Sequence, residues 1–284
     1  MFNYQDAFSR NIGWLTENEQ ELLRHKRVAI AGAGGVGSEH IVTLARLGIG
    51  KFNIADFDEY EVHNFNRQAG AFMSTVGKEK VRVMEQVALD INPEAEVRVF
   101  EKGIHSENID EFLRDVDIYV DSLDFFALDA RILVFEKCEQ LGIPVVTAAP
   151  LGMGAAVLCF TPESMGFEQY FRFDDATTED EKYIKFLVGL SPSMLQRPYL
   201  VDPSRADFKA KKGPSTPMAV KMCAGVAGSN VLKILLGRGK VILAPRVLHF
   251  DAYRNRLKIT WRPNGNRSLM QRLTFNIAKK IVLK

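Results

Sequence analysis

A chain of 284 residues, 46% hydrophobic and 25% charged, holds enough apolar side chains to bury a sizeable core without disulfides or a structural metal. A net charge of +2 is too small to argue for nucleic acid by itself, and three cysteines with no CxxC pair exclude a disulfide framework. The opening MFNYQDAFSRN has no apolar h-region and no apolar run reads as a membrane span, so a cytoplasmic protein is expected.

The first local signal is Thr16-Glu17-Asn18-Glu19, a capping box that predicts a short helix through ELLRHK. RVAIAG follows as a buried strand. GVGSEHIVTLARLG is a helix with Val36, Ile41, Leu44, Ala45 and Leu47 on one side, stopped by Gly48 and Gly50. KFNIAD is the second strand, and VGKEKVRVMEQVALDIN is an amphipathic helix ending before Pro93. Then come a strand (EVRVF), a short helix (NIDEFLRD) and a buried strand (VDIYVDSL). DARILVFEKCEQLG is a helix closed by Gly142, and IPVVTAA is another strand. Strands alternating with helices predict an α/β fold, a Rossmann-like doubly wound and mostly parallel sheet.

The pattern changes after Pro150. GAAVLCFTP reads as a strand leaving the first half, and residues 163–215 read as a long irregular crossover, a functional lid or partly disordered. Thr216-Pro217 opens a helix rich in small residues. RVLHFDA and RLKITWR read as an antiparallel pair joined at Tyr253-Arg254-Asn255, a mixed extension of the sheet. The expected division is a Rossmann-like core over 1–160, with 161–284 completing the same domain. The tail RSLMQRLTFNIAKKIVLK has five basic residues and no acids, interleaved with apolar ones including Ile281 and Leu283. It is expected to dock as a terminal helix on its own domain or on a partner; an anionic surface is the alternative.

AGAGGVGS joins the first strand to the first long helix and fits GxGxxG with Gly32, Gly34 and Gly37, Gly35 being an additional glycine. Such a loop brings backbone close to a phosphate at a helix N-terminus, and Asp56 at the end of the second strand stands where a ribose-binding acid belongs. Up to this point a nicotinamide dehydrogenase fits as well as an ATP enzyme. DFDEYEVHNFNRQ shifts the balance, because nucleotidyl transfer must stabilise charge on a triphosphate. Arg67 offers a rigid fork of donors, Lys80 a point charge, and Asp124 in VDSLD a carboxylate for Mg²⁺. Each has a plainer alternative: Arg67 paired with Glu61, Lys80 solvated, Asp124 an N-cap before FFALDAR.

GAGGVGS, DFD-x-x-x-x-x-N-x-x-RQ, the GKEK helix and D-x-x-D together resemble the ubiquitin-activating-enzyme-like adenylyltransferases, the ThiF/MoeB group, over about residues 8–160. The resemblance implies attack of a carboxylate on the α-phosphate of Mg·ATP, giving an acyl-adenylate and pyrophosphate. The carboxylate is often the C-terminus of a small β-grasp, ubiquitin-like protein. Carried over by position, Gly32, Gly34 and Gly35 form the nucleotide loop with Gly37, and Asp56 binds the ribose. Asn64, Arg67 and Lys80 contact phosphates, with Asp58 and Gln68 in the same set, and Asp124 holds Mg²⁺. FSRN makes Arg10 a candidate finger reaching into a partner subunit, which implies a homodimer or pseudo-dimer.

The departures limit the resemblance. Only Cys159 stands near the family's first zinc pair and WRPNGNRSL has no cysteine at the second, so no zinc is expected. Phe125 replaces the asparagine of D-x-x-D-N. Residues 160–222 hold no cysteine, and Cys159 and Cys223 read as packed thiols, so thioester or persulfide chemistry is not expected. NFNRQ also resembles the tRNA threonylcarbamoyladenosine dehydratase branch. The small net charge does not favour RNA, although Lys209, Lys211, Lys212 and the tail offer local phosphate contacts. An NAD-dependent oxidoreductase and a non-catalytic nucleotide-binding scaffold are the remaining alternatives.

Overall fold

The computed structural model describes residues 1–208 and 210–282; of the residues singled out above, Lys209 and Leu283 lie outside it. Helix α1 (Tyr4–Phe8) precedes α2 (Glu17–His25), and α2 opens on the expected capping box, with Thr16 Oγ1 accepting from Glu19 N and Thr16 N donating to Glu19 Oε2. The chain then alternates through β1 (Arg27–Ala31), α3 (Gly35–Arg46), β2 (Lys51–Ala55), α4 (Lys80–Ile91), β3 (Glu96–Phe100), α5 (Ile109–Phe112), β4 (Ile118–Asp121), α6 (Leu128–Leu141) and β5 (Val145–Leu151). It continues with β6 (Gly154–Phe160), α7 (Phe167–Phe171), α8 (Glu179–Leu190), α9 (Pro217–Leu236), β7 (Arg246–Asp251), β8 (Arg256–Trp261) and α10 (Leu269–Val282). Helix α4 begins three residues later than GKEK suggests, because Lys80 N is held by Asp58 O instead of a preceding helical turn.

Among the described residues, eight strands form one sheet in the order β3-β2-β1-β4-β5-β6-β7-β8. The first five are parallel, and β5 through β8 are antiparallel neighbours. The order reverses between β1 and β4, so a crevice opens at the carboxyl ends of these two strands, where open α/β sheets bind ligands. Strand alternation divides the core between the two faces. Val28 and Ile30 of β1 join Ile41, Leu44, Met84 and Cys223 on one face, while Ala29 and Ala31 join the aromatic cluster of Tyr119, Phe135, Phe171 and Phe186 on the other.

One expectation needs correction. The 163–215 segment is not irregular throughout: α7 and α8 lie within it and bury Tyr170, Phe171, Tyr183 and Phe186. Thr178 N-caps α8 by accepting from Glu181 N, so this stretch is packed core on the aromatic face. Helix α9 is long enough and, at a mean hydropathy of 1.4, apolar enough to cross a membrane by length and composition alone, which does not overturn the expectation of no membrane span. Ala219, Cys223, Ala227 and Val231 are buried, and the helix packs on β5, β6 and α3.

The basic tail docks as a helix on its own domain. Gln271 Nε2 donates to Val188 O at 2.9 Å, and Lys279 pairs with Glu181 of α8. The Lys279 ammonium, with help from the Thr177 N–H and O–H, holds the Glu181 carboxyl down at about 2. A carboxyl depressed on folding stabilises fully above its ordinary value and loses that contribution as pH falls towards its folded value. Amide protection of α10 should therefore fall as the pH drops from about 4.5 towards 2, faster than protection of α3. Hydrogen exchange checks this, and Glu181→Gln should remove the pH dependence and leave α10 less protected throughout.

Candidate nucleotide site at the switch point

The glycine loop is shaped by close approach. Gly32 has a φ of +94°, donates its N–H to Ala55 O at 2.7 Å, and any Cβ there would run into Ser122 O; one on Gly37 would run into Gly32 O. The loop is thereby pressed between the ends of β2 and β4 and delivers the N-terminus of α3 to the crevice. Asp56 braces it from beneath: Ala33 N donates to Asp56 Oδ2 at 2.6 Å and Asp58 N to Asp56 Oδ1 at 2.8 Å. Burial pushes the Asp56 carboxyl up, against these bonds, which hold it down.

The structure brings the NFNRQ residues to the loop across more than thirty positions of sequence. Arg67 lies along Gly35, with Cγ and Cδ 3.6 and 3.7 Å from where a Cβ would stand, and Gln68 Nε2 is 3.6 Å from the same point on Gly34. Arg67 forms no ion pair among the described residues, including with Glu61, which pairs with His63 instead. Its Nη1 donates to His63 O at 3.0 Å and Asn66 Oδ1 at 2.9 Å, which leaves Nε and Nη2 without a partner there. Burial lowers the guanidinium pKa and the Asp124 carboxylate works against that shift. Gln68 is 7% exposed with its Oε1 unpartnered, and Ser122 Oγ is unpartnered beside the loop. Unsatisfied buried polar atoms around a glycine cradle fit a polar ligand.

Lys80 stands at the first turn of α4, 6% exposed, with Nζ 2.8 Å from Asp58 Oδ2. It is a buried, paired cation and not the solvated lysine of the plainer reading. Asn64 is buried; its Oδ1 accepts from Glu61 N at 2.9 Å and so shapes its own loop. Asp124 is exposed and its Oδ1 accepts from Phe126 N at 2.9 Å, so it does act as a local cap, with Oδ2 remaining. Among the described residues no group of three His, Cys, Asp or Glu is arranged to hold a metal. A divalent ion here would depend on Asp124 and on phosphate oxygens for its ligands.

Arg10 is not brought to this site within one chain. It is exposed in the turn Ser9–Asn11, and Asn11 Nδ2 donates to Leu47 O at the far end of α3. The twelve residues of α3 separate it from the glycine loop by about 18 Å at 1.5 Å per residue.

Two groups escaped sequence reasoning. Asp121, which begins D-x-x-D, is buried and accepts from Arg131 Nε at 2.9 Å and Thr147 Oγ1 at 2.8 Å, while Arg131 Nη2 and Nη1 donate to Leu123 O and Asp124 O. Arg131 thus holds the loop that presents Asp124. The other is Asn66, whose Nδ2 donates to Ser215 O at 3.0 Å.

Cys138, Cys159 and Cys223 are all buried, and desolvation raises every thiol pKa, that of Cys159 to about 12. The native protein should resist iodoacetamide at neutral pH and take up label on all three cysteines once denatured, as counted by mass spectrometry.

A doubly wound sheet with a glycine loop, a bracing acid and, among the described residues, an arginine without an ion-pair partner at its switch point defines an α/β protein with a candidate phosphate-binding loop. The chain belongs to the ThiF family, which matches residues 8–268. It is 35% identical over 150 residues to the tRNA threonylcarbamoyladenosine dehydratase of Bacillus subtilis (strain 168), covering 52% of this chain and 57% of that one. The chain thus spans little more than half the length of this relative. Among solved structures, E. coli MccB with MccA-N7isoASN superposes with a TM-score of 0.69 at 19% identity, covering 95% of this chain and 75% of that one. E. coli TcdA in complex with AMP gives 0.61 at 20% identity, covering 82% and 95%. At these identities the structural likeness speaks for the fold.

Proposed function

We propose that this protein is an ATP-dependent adenylyltransferase that activates a carboxylate as an acyl-adenylate. One observation carries the reading: a half-buried guanidinium that has no carboxylate partner among the described residues lies along the glycine loop at a helix N-terminus. A hydride-transfer site, with pyrophosphate already on the helix N-terminus, has little need of that cation. A site that must hold a triphosphate while charge shifts onto departing pyrophosphate does need it.

In this reading the Gly34–Gly35 backbone and the α3 N-terminus receive phosphate oxygens. Arg67 offers Nε and Nη2, and Asn64 offers its Nδ2. Lys80 adds positive potential while Asp58 fixes its position, and Gln68 and Ser122 satisfy their unpartnered atoms on the nucleotide. Asp56 keeps the loop in place and faces the ribose. Mg²⁺, when bound at Asp124, neutralises phosphate charge. The substrate carboxylate oxygen attacks the α-phosphorus, the bond from that phosphorus to the bridging oxygen breaks, and its electron pair leaves with pyrophosphate. No proton need move. The chain's residues therefore contribute alignment and charge, not covalent chemistry. Arg10 completes the phosphate grip from a second copy, which makes the working unit a homodimer, and the expected setting is cytoplasmic.

The substrate favoured by the family resemblance is the C-terminus of a ubiquitin-like protein or a peptide. The 35% identity to a tRNA threonylcarbamoyladenosine dehydratase favours a second reading, a carboxylate carried on tRNA. Incubation with ATP, Mg²⁺ and either the tRNA or the small-protein fraction of a cell extract, followed by mass spectrometry of adenylated species, separates the two. The absence of an adenylated species from both, together with a preference for NADH over ATP in titration, would overturn the proposal in favour of an oxidoreductase.

A further inference from the structure

The loop that carries Arg67 is tied to the far end of the crossover by one side chain. Asn66 Oδ1 accepts from Arg67 Nη1 at 2.9 Å, and Asn66 Nδ2 donates to Ser215 O at 3.0 Å. The next residue, Thr216, is the N-cap of α9, and its Oγ1 also donates to Gly152 O at 2.7 Å. Gly152, with a φ of +63°, lies at the β5–β6 turn, where any Cβ would strike Tyr199 Oη. Tyr199 Oη donates to Asp251 Oδ2 at 2.7 Å and accepts from Met153 N at 2.8 Å. The crossover is therefore seated on the sheet through Tyr199 and Thr216, and its last residues touch the arginine loop through Asn66.

A carboxamide has a donor end and an acceptor end. The Ser215 carbonyl takes the donor end of Asn66, so the acceptor end must face Arg67. With Ser215 withdrawn that constraint is lost, and the opposite orientation would set Nδ2–H against a guanidinium N–H. Arg67 uses a single nitrogen for both of its hydrogen bonds, so its Asn66 bond is half of what fixes the direction of the remaining fork.

We propose that Asn66 is a positioning residue that makes the alignment of Arg67 conditional on the end of the crossover being seated, so that the phosphate grip depends on where Ser215 is held. This rests on the reading of Arg67 as a phosphate-binding group. The coupling is a relay of named bonds: Arg67 to Asn66, Asn66 to Ser215, Thr216 to Gly152. An acyl substrate that shifts Ser215 would shift the arginine with it.

The test is a set of calorimetric titrations of the full chain with ATP and with adenosine. Asn66→Ala should weaken ATP binding roughly tenfold, the scale of one lost hydrogen bond to a charged group. Adenosine, which has no phosphate, should bind as before. In an Arg67→Ala background the same Asn66 change should add less than about twofold, the limit of additivity for independent sites. Thr216→Val, which loosens the crossover without touching Arg67, should weaken ATP binding in the parent and not in Asn66→Ala. Hydrogen exchange at the start of α9 should rise in both single variants. Unchanged ATP affinity in Asn66→Ala, with a clear loss in Arg67→Ala, would overturn the relay and leave the phosphate-binding role of Arg67 intact. An equal loss with and without Arg67 would overturn it too, since Asn66 would then act on the nucleotide or the fold directly. If Arg67→Ala binds ATP as the parent does, the reading of the site fails and takes the relay with it.

Discussion

Arg67→Ala should lower pyrophosphate release from ATP by roughly 10²-fold or more, the scale on which one charge-stabilising donor acts in a water-poor site. The thermal midpoint should hardly move, because the side chain's hydrogen bonds go to His63 and Asn66 of its own loop and Gly35 can do without the contact. Arg67→Lys should recover only part of the activity: an ammonium restores the charge and cannot present two parallel donors to a phosphate. The measurement is continuous pyrophosphate detection with the adenylated fraction as substrate, beside a thermal melt of each variant. Activity retained in Arg67→Ala would remove the arginine from the mechanism and favour a nucleotide-binding scaffold. A loss of activity matched by a loss of stability would place Arg67 in the fold instead.

The parts of the site that lie within one strand–loop–helix unit were legible in the sequence. The Gly32–Gly37 loop, its strand, its helix and Asp56 come from one βαβ unit, where local rules of spacing apply. The contact of Arg67 with Gly35 and of Gln68 with Gly34 was not legible, because a loop's return to a neighbouring loop is decided by tertiary packing. Helix α8 was missed for a different reason. Its charged first turn, Glu179-Asp180-Glu181, and the surrounding Pro and Gly made 163–215 look irregular, while Tyr183, Phe186 and Leu190 recur at helical spacing behind the Thr178 cap. Arg131 was missed although it left a signal. It falls in the apolar register of α6 with Leu128, Val134, Phe135 and Cys138, and an arginine there must find a buried anion. The tail carried both readings in its composition, and only the bonds from Gln271 and Lys279 to α8 select docking on its own domain.

That buried pair leads to the largest stability effect expected of this chain. Arg131 and Asp121 are 2% and 3% exposed, Nε and Oδ2 are 2.9 Å apart, and the guanidinium stacks 4.5 Å from the Phe186 ring centroid. Asp121→Ala would strand the guanidinium in the aromatic core, and Arg131→Met would strand the carboxylate beneath the Ser122–Asp124 loop. Removing one partner of such a pair costs about 3–5 kcal/mol. For a chain of this size that corresponds to a drop of roughly 10 °C in thermal midpoint. The double change Asp121→Ala with Arg131→Met should cost less than the sum of the single changes, because it leaves no charge unpaired. Activity should separate the roles that stability merges. Arg131 also fixes the Leu123 and Asp124 carbonyls, so the double variant, even where it melts near the parent, should hold Asp124 loosely and need more Mg²⁺ for half-maximal pyrophosphate release. An unchanged Mg²⁺ requirement in a well-folded double variant would mean that the loop keeps its shape without Arg131, or that Asp124 does not hold the metal. Asp124→Ala in the parent, read for the same Mg²⁺ requirement, would then tell which.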